Sequence, residues 1–182
     1  MLIIGKDIIE RCKKNDRTAQ KLVYENFFDR MYAVCRRYVK NDEETIEVLN
    51  DGFISLFQNI HQYKGEGSFE GWVRRIVVNK ALDHLKLNKT YKETLQYVEE
   101  YKEEPTYVET DIIDSGNTEE LYRTIQELPP AYRIVFNLFA IEGFSHKEIA
   151  EKMNISEGTS RWYLSESRKI LKEKLTLTMQ QA

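Results

Sequence analysis

The chain has 182 residues, 41% of them hydrophobic and 31% charged, which suits one large or two small domains with well-solvated surfaces. Its net charge of −3 is divided unevenly: residues 1–93 carry +3, residues 94–122 carry −8 and residues 123–182 carry +2. Few prolines, no secretory signal and no run near the roughly 20 apolar residues that span a bilayer argue against a turn-rich β fold, secretion and membrane insertion. We therefore expect a cytoplasmic protein.

Apolar residues spaced by three and four predict three helices in the first half of the chain. They cover residues 18–40, residues 42–60, and a segment from about Ser68 or Trp72 to Leu87. A stretch with three glycines breaks the pattern between the second and the third. The residues expected in the core are Val23, Phe27, Met31, Val34, Cys35 and Tyr38, then Ile46, Leu49, Phe53, Phe57 and Ile60, then Val73, Ile76, Val77, Ala81 and Leu85.

Residues 88–118 lose the helical period and are acidic, which indicates a linker with little core of its own. Helical periodicity returns at Glu119 and is interrupted at Pro129 and Pro130. These prolines end one helix and begin the next, because proline suits the first turn of a helix and disrupts its interior.

The strongest local signal is the segment GFSHKEIAEKMNISEGTSRWYL, which begins at Gly143. Ser145 and Glu148 match a capping box, which predicts the start of a short helix. Asn154 falls in the turn that follows, where a positive φ is often needed. Ser156 caps a second helix that we expect to reach about Lys174. The short break between the two helices predicts a helix-turn-helix.

The predicted fold is all-α, with two small helical domains joined by an acidic linker and the helix-turn-helix in the C-terminal domain. The N-terminal domain covers residues 1–92, the linker residues 93–118 and the C-terminal domain residues 119–182.

In a DNA-binding helix-turn-helix, the N-terminal half of the second helix meets base edges in the major groove. The backbone amides at Gly158 and Thr159 lie in the first turn of that helix, where they can hold a phosphate. Lys147, on the first helix, can contact the DNA backbone. The alternative is a helical hairpin in a protein–protein module, and the agreement of the cues favours DNA. Side chains expected to point outward toward DNA are Arg161, Trp162, Ser165 and Arg168.

Three segments together resemble the extracytoplasmic-function (ECF) sigma factors of the sigma-70 family. They are ETIEVLNDGFISLF from Glu44, GSFEGWVRRIVVNKALD from Gly67, and LPPAYR from Leu128 continuing through the helix-turn-helix. The resemblance runs from about Asp16 to Leu175, and the order and spacing of the segments are more specific than the helix-turn-helix alone.

The resemblance implies that the N-terminal domain binds the clamp of core RNA polymerase and the −10 promoter element. It implies that the C-terminal domain binds the −35 element and the polymerase flap. Arg133 matches a basic position near the −35 phosphates, and its alternative is a surface salt bridge. The partners that the resemblance implies are core RNA polymerase and promoter DNA, with an anti-sigma factor as a further candidate. The chain would be a monomer when free. The residues matching the polymerase-binding helix are Glu43, Glu47, Asn50 and Asp51, whose alternative is an ordinary solvated face.

On the third helix, Arg75, Asn79, Asp83 and Lys86 step by four, four and three, so they share one face. Holding unstacked bases of one strand suits cations, amides and aromatic rings. Phe69 and Trp72 stand beside the glycine-rich loop of residues 61–71, which could form a pocket for a flipped base; the alternative is that both rings are core. The residues expected at the −10 element are Phe69, Trp72, Arg75, Asn79, Lys80, Asp83 and Lys86.

The second helix of the motif departs from the family pattern. Tyr163 and Glu166 stand where many relatives carry basic residues, Trp162 stands where serine is common, and Ser160 replaces a small or aliphatic core residue. An acid facing phosphate lowers affinity for DNA, so we expect −35 binding that is weak or unusual in sequence preference.

Three other classes of protein are alternatives. A helix-turn-helix regulator acting without core polymerase would need a dimerisation element, and no long heptad is present. An enzyme is disfavoured because the three histidines are scattered and no nucleophile–base, metal or phosphate-loop pattern occurs, so we expect no catalytic residue, metal or cofactor. A sigma-like protein that has lost promoter binding remains open because of Tyr163 and Glu166.

Overall fold

The computed structural model describes residues 4–87 and 123–179, and the chain divides into two compact units with the boundary after Leu87. The described residues form helices and turns without a strand, which confirms the all-α prediction. The predicted linker, residues 93–118, lies outside the described residues.

Residues 4–87 of the first unit form four α-helices. They are α1 (Lys6–Lys13), α2 (Arg17–Cys35), α3 (Asp42–Asn59) and α4 (Phe69–Leu87), with a short 3₁₀ helix (Ile60–Gln62) after α3. The sequence did not predict α1, whose only signal was a short apolar patch.

The ends of these helices follow from local capping. The side chain of Asp16 accepts hydrogen bonds from the amides of Thr18 and Ala19 and so begins α2. The side chain of Asn41 begins α3 in the same way. Each cap satisfies backbone donors that the first turn of a helix leaves without an intrahelical partner.

The core of the first unit lies where α2, α3 and α4 pack on one another. Gly52 of α3 allows close approach, since a Cβ built there would be 3.1 Å from Cγ2 of Val77 on α4. The apolar face of α3 is centred on Leu49 and Phe53 but is rotated relative to the expected stripe. The expectation that Ile46 is core is therefore wrong, since its side chain is 43% exposed. Phe57 and Ile76 are only half-buried, whereas four residues that were not expected in the core are buried: Val48, Leu56, Val78 and Leu82.

The second unit begins its described part with a helical turn over residues 123–126. Then follow α5 (Pro130–Phe136), a π-helical turn (Asn137–Ile141), α6 (His146–Met153) and α7 (Glu157–Met179). Pro129 is the N-cap of α5 and Pro130 its first residue, which confirms the predicted break.

The helix-turn-helix prediction is confirmed in α6 and α7. Ser145 and Glu148 make the capping box, and Asn154 adopts the left-handed conformation with φ 54° and ψ 50°. The amide of Ile155 donates to the carbonyl of Ala150 at 3.1 Å and closes the turn. α7 extends beyond the expected Lys174. α6 and α7 pack on each other, and both contribute buried side chains: Ile149 and Met153 from α6, and Leu164 and Leu171 from α7.

Candidate polymerase and promoter interfaces

The exposed face of α3 is acidic. The helix contains no lysine or arginine, and its first turn holds three consecutive acids. The hydroxyl of Tyr24 on α2 donates to Oδ1 of Asn50 at 3.2 Å. This face therefore suits a partner surface with basic side chains. All four residues predicted at this face are exposed to solvent: Glu43, Glu47, Asn50 and Asp51.

A groove between α3 and α4 joins the two faces that the sequence treated separately. Glu47 and Asp51 line it from α3, and Lys80, Asp83 and Lys86 line it from α4. The predicted polymerase-binding and −10 faces therefore share one border. Sequence reasoning missed three further residues of this border: Val48, His84 and Leu87. Nε2 of His84 lies 3.2 Å from Oε2 of Glu44, and Leu87 is 82% exposed.

The polar face predicted on α4 is present. Arg75, Asn79, Asp83 and Lys86 are exposed along one side of the helix, and Lys80 is half-buried beside them. Cations and an amide therefore lie along one surface, as binding to a single strand requires.

The aromatic residues beside the glycine-rich loop divide differently from the prediction. Phe69 is buried, 8% exposed, with Phe27 and Tyr63 packed edge-on against its ring at centroid distances of 5.9 and 5.1 Å. The expectation that Phe69 contacts DNA is therefore wrong, because its ring belongs to the core. Trp72 is half-buried against Tyr63 at 5.4 Å. Tyr63, which sequence reasoning missed, is half-buried and donates from its hydroxyl to the carbonyl of Gly67 at 3.0 Å.

The N-terminal half of α7 presents a mixed surface. Arg161 is exposed, and its Nη2 lies 3.0 Å from Oε2 of Glu157. Trp162 is half-buried, because its ring lies 5.6 Å from that of Tyr132 on α5. Lys147 on α6 is exposed. The other two residues expected to point toward DNA, Ser165 and Arg168, are half-buried.

The first turn of α7 offers fewer backbone donors than predicted. The amide of Thr159 donates to Oγ of Ser156 at 2.9 Å, so the expectation that this amide holds a phosphate is wrong. Gly158 is exposed. Of the predicted pair, Gly158 is the one that keeps its place as a candidate.

Two expectations about the promoter face are overturned by burial. Arg133 is only 3% exposed, and its Nη1 donates to the carbonyl of Gln126 at 3.0 Å. It lies inside the second unit instead of on a surface that faces phosphate. Tyr163 is fully buried, with its ring edge-on to Tyr132 at 5.0 Å. It is a core residue, so it does not mark a lost DNA contact, whereas Glu166 is half-buried.

The two cysteines are buried free thiols, which confirms the expectation for Cys35. Burial raises the pKa of the Cys35 thiol to about 12 and that of the Cys12 thiol to about 11. Among residues 4–87 and 123–179, no cluster of His, Cys, Asp and Glu is arranged to hold a metal ion. Nor does any helix in these ranges have the length and apolar character to cross a membrane.

Comparison with known families identifies the class. The model of sigma-70 region 2 matches residues 23–90, and the model of sigma-70 region 4 matches residues 118–171. These matches include α3 and α4 in the first unit and the helix-turn-helix in the second. The chain belongs to the sigma-70 family.

Individual relatives place it within that family. It is 25% identical over 177 residues to the ECF RNA polymerase sigma-E factor of Haemophilus influenzae, covering 92% of this chain and 93% of the relative. It is also 25% identical over 184 residues to the ECF RNA polymerase sigma factor SigW of Bacillus subtilis, covering 96% and 98%. The chain is an ECF-type RNA polymerase sigma factor. The alternative of a regulator that acts without polymerase is not favoured, because the match includes region 2 as well as the helix-turn-helix.

Two solved structures share the fold of this chain. CnrH, in complex with the cytosolic domain of CnrY, aligns with a TM-score of 0.53 at 16% identity, over 96% of this chain and 99% of that one. The sigma factor RpoE of Bartonella quintana, in complex with the anti-sigma factor NepR, aligns with a TM-score of 0.53 at 15% identity, over 86% and 96%.

Proposed function

We propose that the first unit binds core RNA polymerase and the −10 element, and that the second unit binds the −35 element. The observation that carries the proposal is the helix-turn-helix, in which α7 is buried along Leu164 and Leu171 while Arg161 remains exposed. The chain would in this way bring the enzyme to promoters and start transcription there.

The polymerase contact is assigned to the acidic face of α3. Its four predicted residues are exposed and no cation on the same helix neutralises them. Charge complementarity steers association and discriminates against wrong partners, so a basic surface on the polymerase is the expected counterpart.

The −10 contact is assigned to the exposed side of α4. Arg75 and Lys86 supply cations for phosphate, and Asn79 supplies an amide for base edges. Trp72 and Tyr63 replace Phe69 as the aromatic rings that can stack on an unpaired base. Because the groove between α3 and α4 borders both faces, polymerase and the −10 strand would meet the first unit side by side.

The −35 contact is assigned to the start of α7 together with α6. Arg161 and Ser165 would reach base edges, and Lys147, Gly158 and Arg168 would contact phosphates. Glu166 stands where many relatives carry a basic residue, and an acid near phosphate lowers affinity for DNA. We therefore expect the −35 element to contribute only modestly to total affinity.

The chain would have no catalytic chemistry of its own and would need no cofactor. It would act in the cytoplasm, exist as a monomer when free, and be open to capture by an anti-sigma factor.

Transcription in vitro with purified core polymerase on a genomic template tests the proposal. We expect new start sites that share −10 and −35 sequences and that require both the chain and core enzyme. Sequence-specific DNA binding without core enzyme would indicate a regulator instead. Tight binding to core enzyme without any defined start site would indicate a sigma-like protein that has lost promoter recognition.

A further inference from the structure

One side-chain contact joins the two helices of the helix-turn-helix at the start of α7. Nδ1 of His146, the first residue of α6, lies 2.9 Å from Oγ of Ser160. Ser160 is fully buried, whereas His146 is half-buried. The imidazole also stacks on the ring of Phe139, with centroids 4.4 Å apart and planes inclined by 21°. His146 therefore connects α6 to α7 and to the preceding π-helical turn.

The position of Ser160 gives this contact its consequence. Ser160 precedes Arg161 directly, and its amide donates to the carbonyl of Ser156 within the first turn of α7. A buried hydroxyl is costly to leave without a hydrogen-bond partner, so the Ser160 hydroxyl is held within hydrogen-bond distance of His146. Because Ser160 and Arg161 are consecutive in one helix, a contact that fixes the position of Ser160 also fixes the position of Arg161.

We propose that His146 is a positioning residue for promoter recognition. Through its hydrogen bond to Ser160 it sets the rotation and depth of the N-terminal half of α7, and hence the reach of Arg161 and Ser165 toward base edges. This inference rests on the proposed −35 role of α7 and goes beyond it by assigning a role to a side chain that does not itself face DNA.

The surroundings of the imidazole hold it in the state that this role needs. The π-helical turn carries no ionisable side chain. Burial lowers the pKa of His146; the charge of Arg161 lowers it further, Glu157 opposes this, and Arg168 adds to the lowering. The ring is therefore neutral near pH 7 and can accept a hydrogen bond from the Ser160 hydroxyl. The charged side chains of α6 itself are Lys147, Glu148, Glu151 and Lys152.

The chain offers a matched control two turns further along α7. Ser167 is also fully buried, and its Oγ lies 3.0 Å from the carbonyl of Tyr132 on α5 and 2.6 Å from that of Tyr163. Ser167→Ala removes a buried serine hydrogen bond from the same helix, two turns beyond the contact between His146 and Ser160.

The test uses the full chain with core polymerase. Run-off transcription is measured on a promoter found by start-site mapping and on the same promoter with a scrambled −35 element, and the ratio defines −35 discrimination. Thermal unfolding is recorded for each variant. His146→Phe keeps a ring against Phe139 but loses the hydrogen bond, and His146→Asn restores a polar atom near the position of Nδ1.

We expect His146→Phe and Ser160→Ala each to lower −35 discrimination by about three- to tenfold, the usual range for one lost hydrogen bond. His146→Asn should recover most of it, and Ser167→Ala should lower stability with discrimination unchanged. The double variant His146→Phe/Ser160→Ala should regain stability, because no buried polar group is left without a partner, while discrimination stays low.

Recovery of discrimination together with stability in the double variant would overturn the inference, because the contact would then act through folding alone. An equal loss of discrimination in Ser167→Ala would do the same. If the unmodified chain directs no start site with core enzyme, the proposed function fails instead, so the two failures are distinguishable.

Discussion

Arg161 and Glu157 form an ion pair one helical turn apart at the exposed start of α7, with Nη2 of the arginine 3.0 Å from Oε2 of the glutamate. The two side chains are 47% and 44% exposed, so solvent screens the pair and it contributes little to stability. The Glu157 carboxylate binds the Arg161 guanidinium, which is the group that α7 would otherwise present to DNA. It also places a negative charge where the helix would approach phosphate.

Glu157→Gln is therefore expected to strengthen −35 binding. Removing the acid frees Arg161 and removes repulsion from the DNA backbone, so affinity of the holoenzyme for the promoter should rise by about three- to tenfold at low salt. Glu173→Gln makes the same charge change at an exposed site farther along α7 and serves as the control. Equal effects of both substitutions in a binding titration would show that net charge, not the pair, is responsible.

Gly158→Ala tests whether a phosphate approaches the first turn of α7. A methyl group there would lie 3.6 Å from Oγ of Ser156, an ordinary contact, and alanine favours a helix over glycine by up to about 1 kcal/mol. We expect unchanged or higher thermal stability together with weaker −35 binding and a flatter salt dependence. An unaltered slope of log affinity against log salt would remove Gly158 from the interface.

The helix-turn-helix was predictable because its signals are local. The capping box at Ser145, the left-handed Asn154 and the proline at the start of α5 each act within a few residues, so their residue types alone specify the backbone. The same holds for the polar face of α4, where a regular spacing places side chains on one side.

The errors concern burial, which depends on distant parts of the chain. α5 is buried on nearly all sides, so its periodicity does not separate Arg133 from the apolar residues around it. Phe69 and Tyr163 are drawn inward by aromatic rings on other helices. The contact between His146 and Ser160 joins residues 14 positions apart and has no motif that announces it.

Arg133→Met is expected to destabilise the second unit without changing its recognition of DNA. The substitution removes the donor to the Gln126 carbonyl from a buried site, which we expect to cost about 1–3 kcal/mol. The chain has one tryptophan in each described unit, so fluorescence of Trp162 in a Trp72→Phe background reports unfolding of the second unit.

Arg168→Ala provides the contrast for Arg133→Met. Because Arg168 is proposed to contact a phosphate, its removal should reduce the salt slope of promoter binding by about 1. The effect on stability should be smaller than for Arg133→Met, because Arg168 is only half-buried. If Arg133→Met reduced the slope in the same way while the unit stayed folded, Arg133 would have to reach phosphate after all.

Asp51 and Asn79 should separate polymerase binding from promoter opening. Asp51→Lys reverses a charge on the acidic face of α3 and is expected to weaken binding to core enzyme by about tenfold. Asp29→Lys makes the same change at an exposed site on α2 and should have less effect.

Asn79→Ala should leave core binding intact and lower the permanganate reactivity of unpaired thymines at the −10 element. Loss of core binding in Asn79→Ala would show that Asn79 on α4 also contributes to polymerase binding.

The stability of the second unit should depend on pH through His146. Its pKa in the folded chain lies below the ordinary value of 6.5, because burial and then Arg161 disfavour the imidazolium. The unfolded chain therefore binds the proton more readily, and the free energy of unfolding falls as the pH drops below about 6.5 toward the folded pKa. Above 6.5 the stabilisation is fully present.

Unfolding of the second unit between pH 5 and 8, followed by Trp162 fluorescence, measures this dependence. His146→Asn should flatten the decline below about pH 6.5, because the group that titrates there is removed. His61→Asn changes an exposed histidine of the first unit and should leave the profile of the second unit as it is. His146 has a pKa that folding lowers from 6.5, so it is the group expected to take up a proton on unfolding. A decline that persists unchanged in His146→Asn would mean that another group takes up the proton.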